Sequence, residues 1–352
     1  MLNSIHINGR LVGPGNPVYV IAELSANHHQ DFDEAVRIIH AAKEAGANAV
    51  KLQTYTPDTI TINSTQAHFR IGCGTLWDGE NLHDLYAKAY MPWEWQPKLK
   101  RVADGLGLDL FSSAFDPTAV DFLEQVGVPA YKVASFELVD LPLIQKIAAT
   151  GKPLLLSTGM ASLQEIEEAV RTARDAGCKE LALLKCSSAY PAAPDEMNLR
   201  TIPELMRRFQ VPAGLSDHSM GAAVAVTAVA LGTCIVEKHL TISRAQPGPD
   251  SAFSLEPQEF KQMVEAVRVA ERSLGRVHFG PGDRDNASRT LRRSLFVVTD
   301  VKKGETFNTN NIRSIRPGFG LHTRHLPTIL GKRAACDISC GTPLCWKFVK
   351  NA

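Results

Sequence analysis

No stretch of the 352-residue sequence has the eighteen or so consecutive apolar residues that a bilayer-spanning helix needs, and the first twenty residues lack an apolar core behind a basic start. The expectation is a cytoplasmic protein without membrane attachment. An excess of one charge is missing too: 38 Lys and Arg face 37 Asp and Glu, and basic clusters such as Arg292-Arg293 and Lys302-Lys303 are only pairs. That balance argues against nucleic acid as a partner. The seven cysteines, at 73, 178, 186, 234, 336, 340 and 345, are never spaced as C-x-x-C. Free thiols in a reducing compartment fit this better than disulfides or a zinc knuckle. No G-x-G-x-x-G follows the first apolar run, which disfavours a dinucleotide-binding open sheet.

What is present is a rhythm. A short β-branched apolar run, a few small polar residues and a stretch of helical periodicity recur eight times. The strands read as residues 18–24, 49–55, 109–115, 130–135, 153–159, 180–188, 212–217 and 234–241. In the first helical stretch, DFDEAVRIIHAAKEAG, Ala35, Ile38, Ile39 and Ala42 fall on one face. Gly46, Gly107, Gly127, Gly151, Gly177 and Gly232 stand where helices end. Eight such units over about 255 residues predict an α/β fold of the (β/α)₈ barrel type, with a doubly wound open sheet as the rival. Residues 56–93, holding GTLWDG and MPWEWQP, are too long for an ordinary connection and are expected to cover the active site. The barrel is expected to occupy 1–280, a polar linker 281–290, and a small β-rich domain 291–352.

Chemistry in such a barrel sits where strands run into their following loops. The polar residues there are Glu23, Lys51 with Gln53, Ser112 with Ser113, Lys132 with Ser135, Ser157, Lys185 with Ser188, Ser216 with Asp217 and His218, and Glu237 with His239. A single strand-end serine more often caps the next helix. Polar ends on all eight strands point instead to a shared pocket. His218 and His239 end adjacent strands about 4.8 Å apart, so both imidazoles can reach one divalent ion, as an open site suited to Mn²⁺ acting as a Lewis acid. One of them could equally serve as a general base. Glu237 shares the inward parity of His239 and could orient it or a water. Lys51 and Lys132, with the hydroxyls of Ser135, Ser157 and Ser216, suit a small phosphorylated or carboxylated anion, with internal salt bridges as the alternative for each lysine.

The motifs AELSANHHQ, VKLQTY, YKVASFE, LSTGMAS, KCSSAYP, GLSDHS, EKHLT and GPDSAFSLEP resemble the sialic acid synthase family, and RPGFG resembles that family's antifreeze-like SAF module. ELSANH, GTLWDG, PWEWQ and SAFSLEP resemble its pseudaminic acid synthase branch. The resemblance runs from about Val18 to Leu344 and implies condensation of phosphoenolpyruvate with an open-chain amino sugar, 2,4-diacetamido-2,4,6-trideoxy-L-altrose in that branch, with C–O cleavage releasing phosphate. It also implies roles: Glu23 as acid/base or orienting group beside the aldehyde, and His218 and His239 holding a divalent metal, Mn²⁺ with Co²⁺ or Mg²⁺ as substitutes. Lys51, Lys132, Ser135, Ser157 and Ser216 would hold phosphate and carboxylate. Gln53, Ser113, Glu137, Ser188, Tyr190 and Asp250 would complete the substrate site. Arg316, in RPGFG, would reach the sugar's acyl group in the partner subunit of a homodimer. Three positions depart from the pattern: His29 replaces asparagine, Ala114 replaces a proline in SSAF, and Ser188 stands where neuraminate synthases carry asparagine. Neuraminate and legionaminate synthesis is the nearest enzymatic alternative. A non-catalytic carbohydrate- or ice-binding protein is the alternative of another class, and the set Glu23, Lys51, His218 and His239 argues against it.

Overall fold

A computed structural model describes residues 4–72 and 74–350; Cys73 lies outside them. The chain divides into two compact units, Met1–Gly275 and Arg276–Ala352. The first is a closed barrel of eight parallel strands, β1 (Tyr19–Glu23), β2 (Ala49–Thr54), β3 (Asp109–Ala114), β4 (Tyr131–Val133), β5 (Leu154–Ser157), β6 (Leu181–Cys186), β7 (Ala213–Asp217) and β8 (Ile235–His239). Strand β8 closes onto β1, pairing Ile235 with Tyr19 through to His239 with Glu23. All eight strands fall where the apolar runs place them, so the barrel displaces the open-sheet rival.

Each strand returns through a helix: α1 (Phe32–Glu44), α2 (Gln96–Gly105), α3 (Pro117–Val126), α4 (Leu141–Ala148), α5 (Leu163–Asp175), α6 (Thr201–Phe209), α7 (Ala223–Ala230) and α8 (Pro257–Leu274). The Asp31 carboxylate caps α1 by accepting from the amides of Asp33 and Glu34. Ala35, Ile38, Ile39 and Ala42 are buried against Leu99 of α2 and Phe260 of α8. Each isoleucine buried there contributes roughly 1.5–3 kcal/mol. Helix α3 stops at Gly127, whose φ of 75° lets the chain reverse into β4.

Two features escape the sequence pattern. A hairpin of Ile5–Ile7 and Arg10–Val12 precedes the barrel, with Ile5 and Ile7 in its core and the Asn8 amide bonded at 2.7 Å to Asp109 at the start of β3. It seals the end opposite the strand-end loops. The insertion between β2 and α2 is also partly ordered into helices, Pro57–Ile60 and Leu82–Ala89. Among the described residues no helix is long and apolar enough to cross a membrane.

The second unit pairs β9 (Ser294–Val297) antiparallel with β10 (Ile312–Ile315) around a core of Leu295, Val297, Phe307, Ile312, Ile329 and Leu344. The stretch read as a linker carries a short helix, Asp283–Ser288, whose first turn is tied by the Gly282 amide donating to Asp285. The six described cysteines are free thiols.

Candidate active site

The strand ends open into one cavity of about 620 Å³, lined by Glu23, Lys51, Gln53, Ser113, Lys132, Ser135, Glu137, Ser157, Tyr190, Ser216, His218, Glu237, His239 and Asp250. Those include every barrel residue to which the resemblance gave a substrate or catalytic role except Ser188; of the other strand-end residues, Ser112, Lys185 and Asp217 do not line it. Ser188 stands behind the wall, its hydroxyl 3.2 Å from that of Ser135. The two hydroxyls crowd Gly159, where a β-carbon would lie 2.2 Å from the Ser135 β-carbon and 3.0 Å from the Ser188 oxygen. Arg316 belongs to the second unit, where it is exposed.

Parity sorts the remaining strand-end residues. The Ser112 hydroxyl lies 2.6 Å from that of Thr54 and does not line the cavity. Lys185 donates to the Cys186 carbonyl at 2.7 Å. Asp217 and Lys238 form a fully buried ion pair at 2.7 Å.

Charge is concentrated on the cavity floor. The Lys51 ammonium lies 2.7 Å from Glu23 and 3.7 Å from Glu237, and Lys132 lies 3.9 Å from Glu237. The Ser216 hydroxyl donates to Glu237 at 3.0 Å. Burial pushes the Glu237 carboxyl up, but Lys132, Lys51 and Ser216 more than offset it and hold the group below the ordinary range. Glu23 goes the other way, to about 7: complete burial and the neighbouring Glu237 charge outweigh the pull of Lys51. Burial lowers Lys132. For Lys51 burial is outweighed by Glu23 and Glu237, so it is raised. Glu137 is lifted to about 7, chiefly by burial. Glu23, poised near neutrality beside the Lys51 ammonium, suits proton transfer, and the two lysines suit anion binding.

The imidazoles of His218 and His239 lie with ring centroids 5.3 Å apart. The Nδ1 of His218 bonds to the Ser187 carbonyl at 2.7 Å, so that nitrogen carries the proton and Nε2 keeps its lone pair. Burial drives both rings' basicity down, His239 well below its ordinary value, with His218 and nearby lysines adding to the effect on His239. That lowering favours the neutral, ligand-competent form of each ring. Five buried polar atoms in this cavity lack hydrogen-bond partners among the described residues: the Ser157 hydroxyl, one oxygen each of Glu23, Glu137 and Glu237, and His239 Nδ1, the Glu23 oxygen meeting only the Lys51 ammonium. Unsatisfied groups converging in one cavity are what a polar ligand would satisfy. The residues therefore fit a divalent ion. Among the described residues no cluster of three or more His, Cys, Asp or Glu forms a metal set, so a two-imidazole site would draw its other donors from water and substrate oxygens.

Sequence reasoning placed the insertion over the site but did not name its lining residues, and it missed Ser25. The insertion supplies an apolar wall through Ile60, Ile71, Leu82, Leu85 and Tyr86, and Trp77 ties it across the mouth by donating to the Pro249 carbonyl at 3.1 Å. Apolar insertion residues read from sequence as ordinary packing. Ser25 also lines the cavity, at a φ of 47°; no spacing rule announces a non-glycine residue there. His29, the departure from asparagine, sets its Nε2 3.5 Å from the Ser251 hydroxyl, beside the loop that carries Asp250.

A closed barrel with a cation-floored, acid–base-equipped cavity at its strand ends defines a barrel enzyme acting on an anionic substrate. The NeuB family is matched over residues 38–279 and the SAF domain over residues 292–350. The chain belongs to the NeuB family. It is 44% identical over 330 residues to the pseudaminic acid synthase of Helicobacter pylori, spanning 93% of this chain and 96% of that one. It is 43% identical over 327 residues to that of Campylobacter jejuni, spanning 93% and 95%. Among solved structures, the N-acetylneuraminic acid synthetase of Leptospira borgpetersenii superposes with a TM-score of 0.72 at 31% identity, covering 82% of this chain and 95% of that one.

Proposed function

We propose that this chain is a transferase that condenses phosphoenolpyruvate with the aldehyde form of 2,4-diacetamido-2,4,6-trideoxy-L-altrose and water to give pseudaminic acid and phosphate. The observation that carries the reading is the division of the cavity. Its floor holds Lys51, Lys132 and hydroxyls for an anion, and its wall from the insertion is apolar, suited to a sugar that ends in a methyl group and carries acetamido groups in place of two hydroxyls.

Lys51, Lys132 and the hydroxyls of Ser135, Ser157 and Ser216 would hold the phosphate and carboxylate, and Gln53, Ser113, Glu137, Tyr190 and Asp250 would face the sugar and water, with Ser188 supporting Ser135. A divalent ion held by His218 and His239, Mn²⁺ with Co²⁺ or Mg²⁺ as substitutes, would polarise the aldehyde carbonyl. As C3 of phosphoenolpyruvate forms its bond to the aldehyde carbon, protonated Glu23 gives its proton to the aldehyde oxygen. Positive charge then develops at C2, close to the ionised Glu237. Water adds at C2 and Glu23, now a carboxylate, takes the released proton. The C2 hydroxyl proton leaves with phosphate as the C–O bond breaks, and the ketone forms.

The test is phosphate release from phosphoenolpyruvate with a panel of amino sugars. The diacetamido-trideoxy-altrose should turn over at least ten times faster than N-acetylmannosamine or the legionaminate precursor, with an ¹⁸O label from the bridging oxygen recovered in phosphate. A preference for another sugar would reassign the product, and label retained in the keto acid would reject C–O cleavage. In the same assay, enzyme stripped of divalent ions should release no phosphate and Mn²⁺ should restore it; full turnover after stripping would remove the metal from the mechanism.

The working unit is a homodimer in which Arg316 of one subunit completes the other's site. The guanidinium of Arg316 is exposed and has no hydrogen-bond or ion-pair partner among the described residues, so it is free to serve a neighbour. Arg316→Ala and Glu23→Gln dimers should each be nearly inactive. After exchange they should regain about a quarter of wild-type activity, because half the dimers are hybrids with one intact site of two. No recovery despite demonstrated exchange would place Arg316 outside the partner's site.

A further inference from the structure

We infer that Ser25 is a positioning residue for this reaction: its hydroxyl, anchored on Asp250, pins the Gln53 amide against Glu23, and so aims both Glu23 and the Gln53 carbonyl at the sugar. The inference rests on the reading of Glu23 as the proton-transfer group. Ser25 is buried in the cavity wall just after β1 and adopts a φ of 47°, the left-handed region where glycine is at ease and serine is not. A side chain retained at a position that favours none points to a use for it.

The hydrogen bonds show the use. The Ser25 hydroxyl donates to the Asp250 carboxylate, which also accepts from the Ala26 amide at 3.3 Å. With its proton committed, the Ser25 oxygen accepts from the Gln53 side-chain nitrogen at 2.9 Å. The same nitrogen donates to Glu23 at 2.9 Å. Both amide hydrogens of Gln53 are thereby used, and the amide cannot flip without losing two hydrogen bonds. Its carbonyl oxygen is left to accept from a sugar hydroxyl or acetamido N–H. Glu23 is held by Gln53 on one oxygen and by Lys51 on the other.

Ser25→Gly and Ser25→Ala both lose the hydroxyl, but only glycine relieves the backbone, so the glycine variant should melt higher than the alanine variant. Both should lose about ten- to a hundredfold in kcat/KM for the sugar, the effect of one hydrogen bond in a chain ending on a charged group, with KM for phosphoenolpyruvate within about twofold of wild type. In a Gln53→Ala background the same change should cost clearly less than in the wild type, because the part of the effect that runs through Gln53 is already lost and only the Asp250 bond remains to lose. Kinetics within twofold of wild type for Ser25→Gly, or losses that multiply fully with Gln53→Ala, would overturn the inference.

A readout independent of turnover is the ¹⁵N side-chain amide signal of Gln53, assigned by its absence in Gln53→Ala. One of its two protons should move and exchange faster in Ser25→Gly. An unchanged signal would also overturn the proposal. If the wild type turns over none of the sugars, the functional reading fails while this signal still decides the role of Ser25.

Discussion

Replacing Glu23 by glutamine keeps the shape of the carboxyl group and removes its transferable proton, and kcat for phosphate release is expected to fall by roughly a hundred- to ten-thousandfold. Phosphoenolpyruvate binding, assigned in the proposed mechanism to Lys51, Lys132 and the serine hydroxyls, should persist. The pH dependence follows from the same residue. Burial raises Glu23 to about 7, so below that pH it is neutral and can donate, and above it the donor form is lost. The wild-type kcat/KM should therefore decline as pH rises through that region, and a rise through it would make Glu23 the base in the free enzyme. Stability carries the matching sign. A carboxyl whose folded value lies above its unfolded one, about 4.3, contributes fully below the unfolded value and loses that contribution as pH rises through the folded one. Glu23→Gln should thus melt progressively higher relative to the wild type between pH 5 and pH 8. A difference independent of pH would show that Glu23 titrates in its ordinary range.

The largest effect on stability is expected at Lys238. Its ammonium is fully buried, 2.7 Å from Asp217, and also donates to the Ser219 carbonyl. Asp217 in turn accepts from the Ser219 amide at 2.9 Å and its hydroxyl at 2.6 Å. Lys238→Met leaves the Asp217 charge buried without its counter-ion and should cost about 3–5 kcal/mol in barrel unfolding by urea. Adding Asp217→Asn should recover part of that loss. Asp217 precedes His218 and Lys238 precedes His239, so if those histidines hold the proposed divalent ion, the variant should also bind Mn²⁺ more weakly. A loss below 1 kcal/mol with unchanged Mn²⁺ affinity would mean that water reaches the pair or that the site does not depend on it.

The pair explains a feature of the eighth strand that its composition leaves open. Glu237, Lys238 and His239 interrupt an apolar run, and alternation puts Glu237 and His239 on one side with Lys238 on the other. That parity was legible. The structure places the first two in the cavity and gives Lys238 its partner on the neighbouring strand. For β3 the same rule leaves two choices, and only closure of the barrel sends Ser113 inward, with its hydroxyl accepting from Lys51 at 3.1 Å, while Ser112 pairs with Thr54.

Local chemistry written in the sequence determined the eight strands, the helices between them, the covering insertion and the strand ends that carry polar groups. Those follow from periodicity, capping and turn preferences among residues close in the chain. The tertiary structure decided which charges meet. Glu237 sits between Lys51 and Lys132 because three strands far apart in sequence are brought into register around a closed sheet. Glu23 is raised while Glu237 is lowered because each carboxyl meets a different balance of burial, lysines and its acidic neighbour. Ser25 joins Gln53 to Asp250 because the chain turns through a left-handed residue after β1. Electrostatic balance and hydrogen-bond direction depend on distances of a few ångströms between segments distant in the chain, and no local pattern encodes those distances.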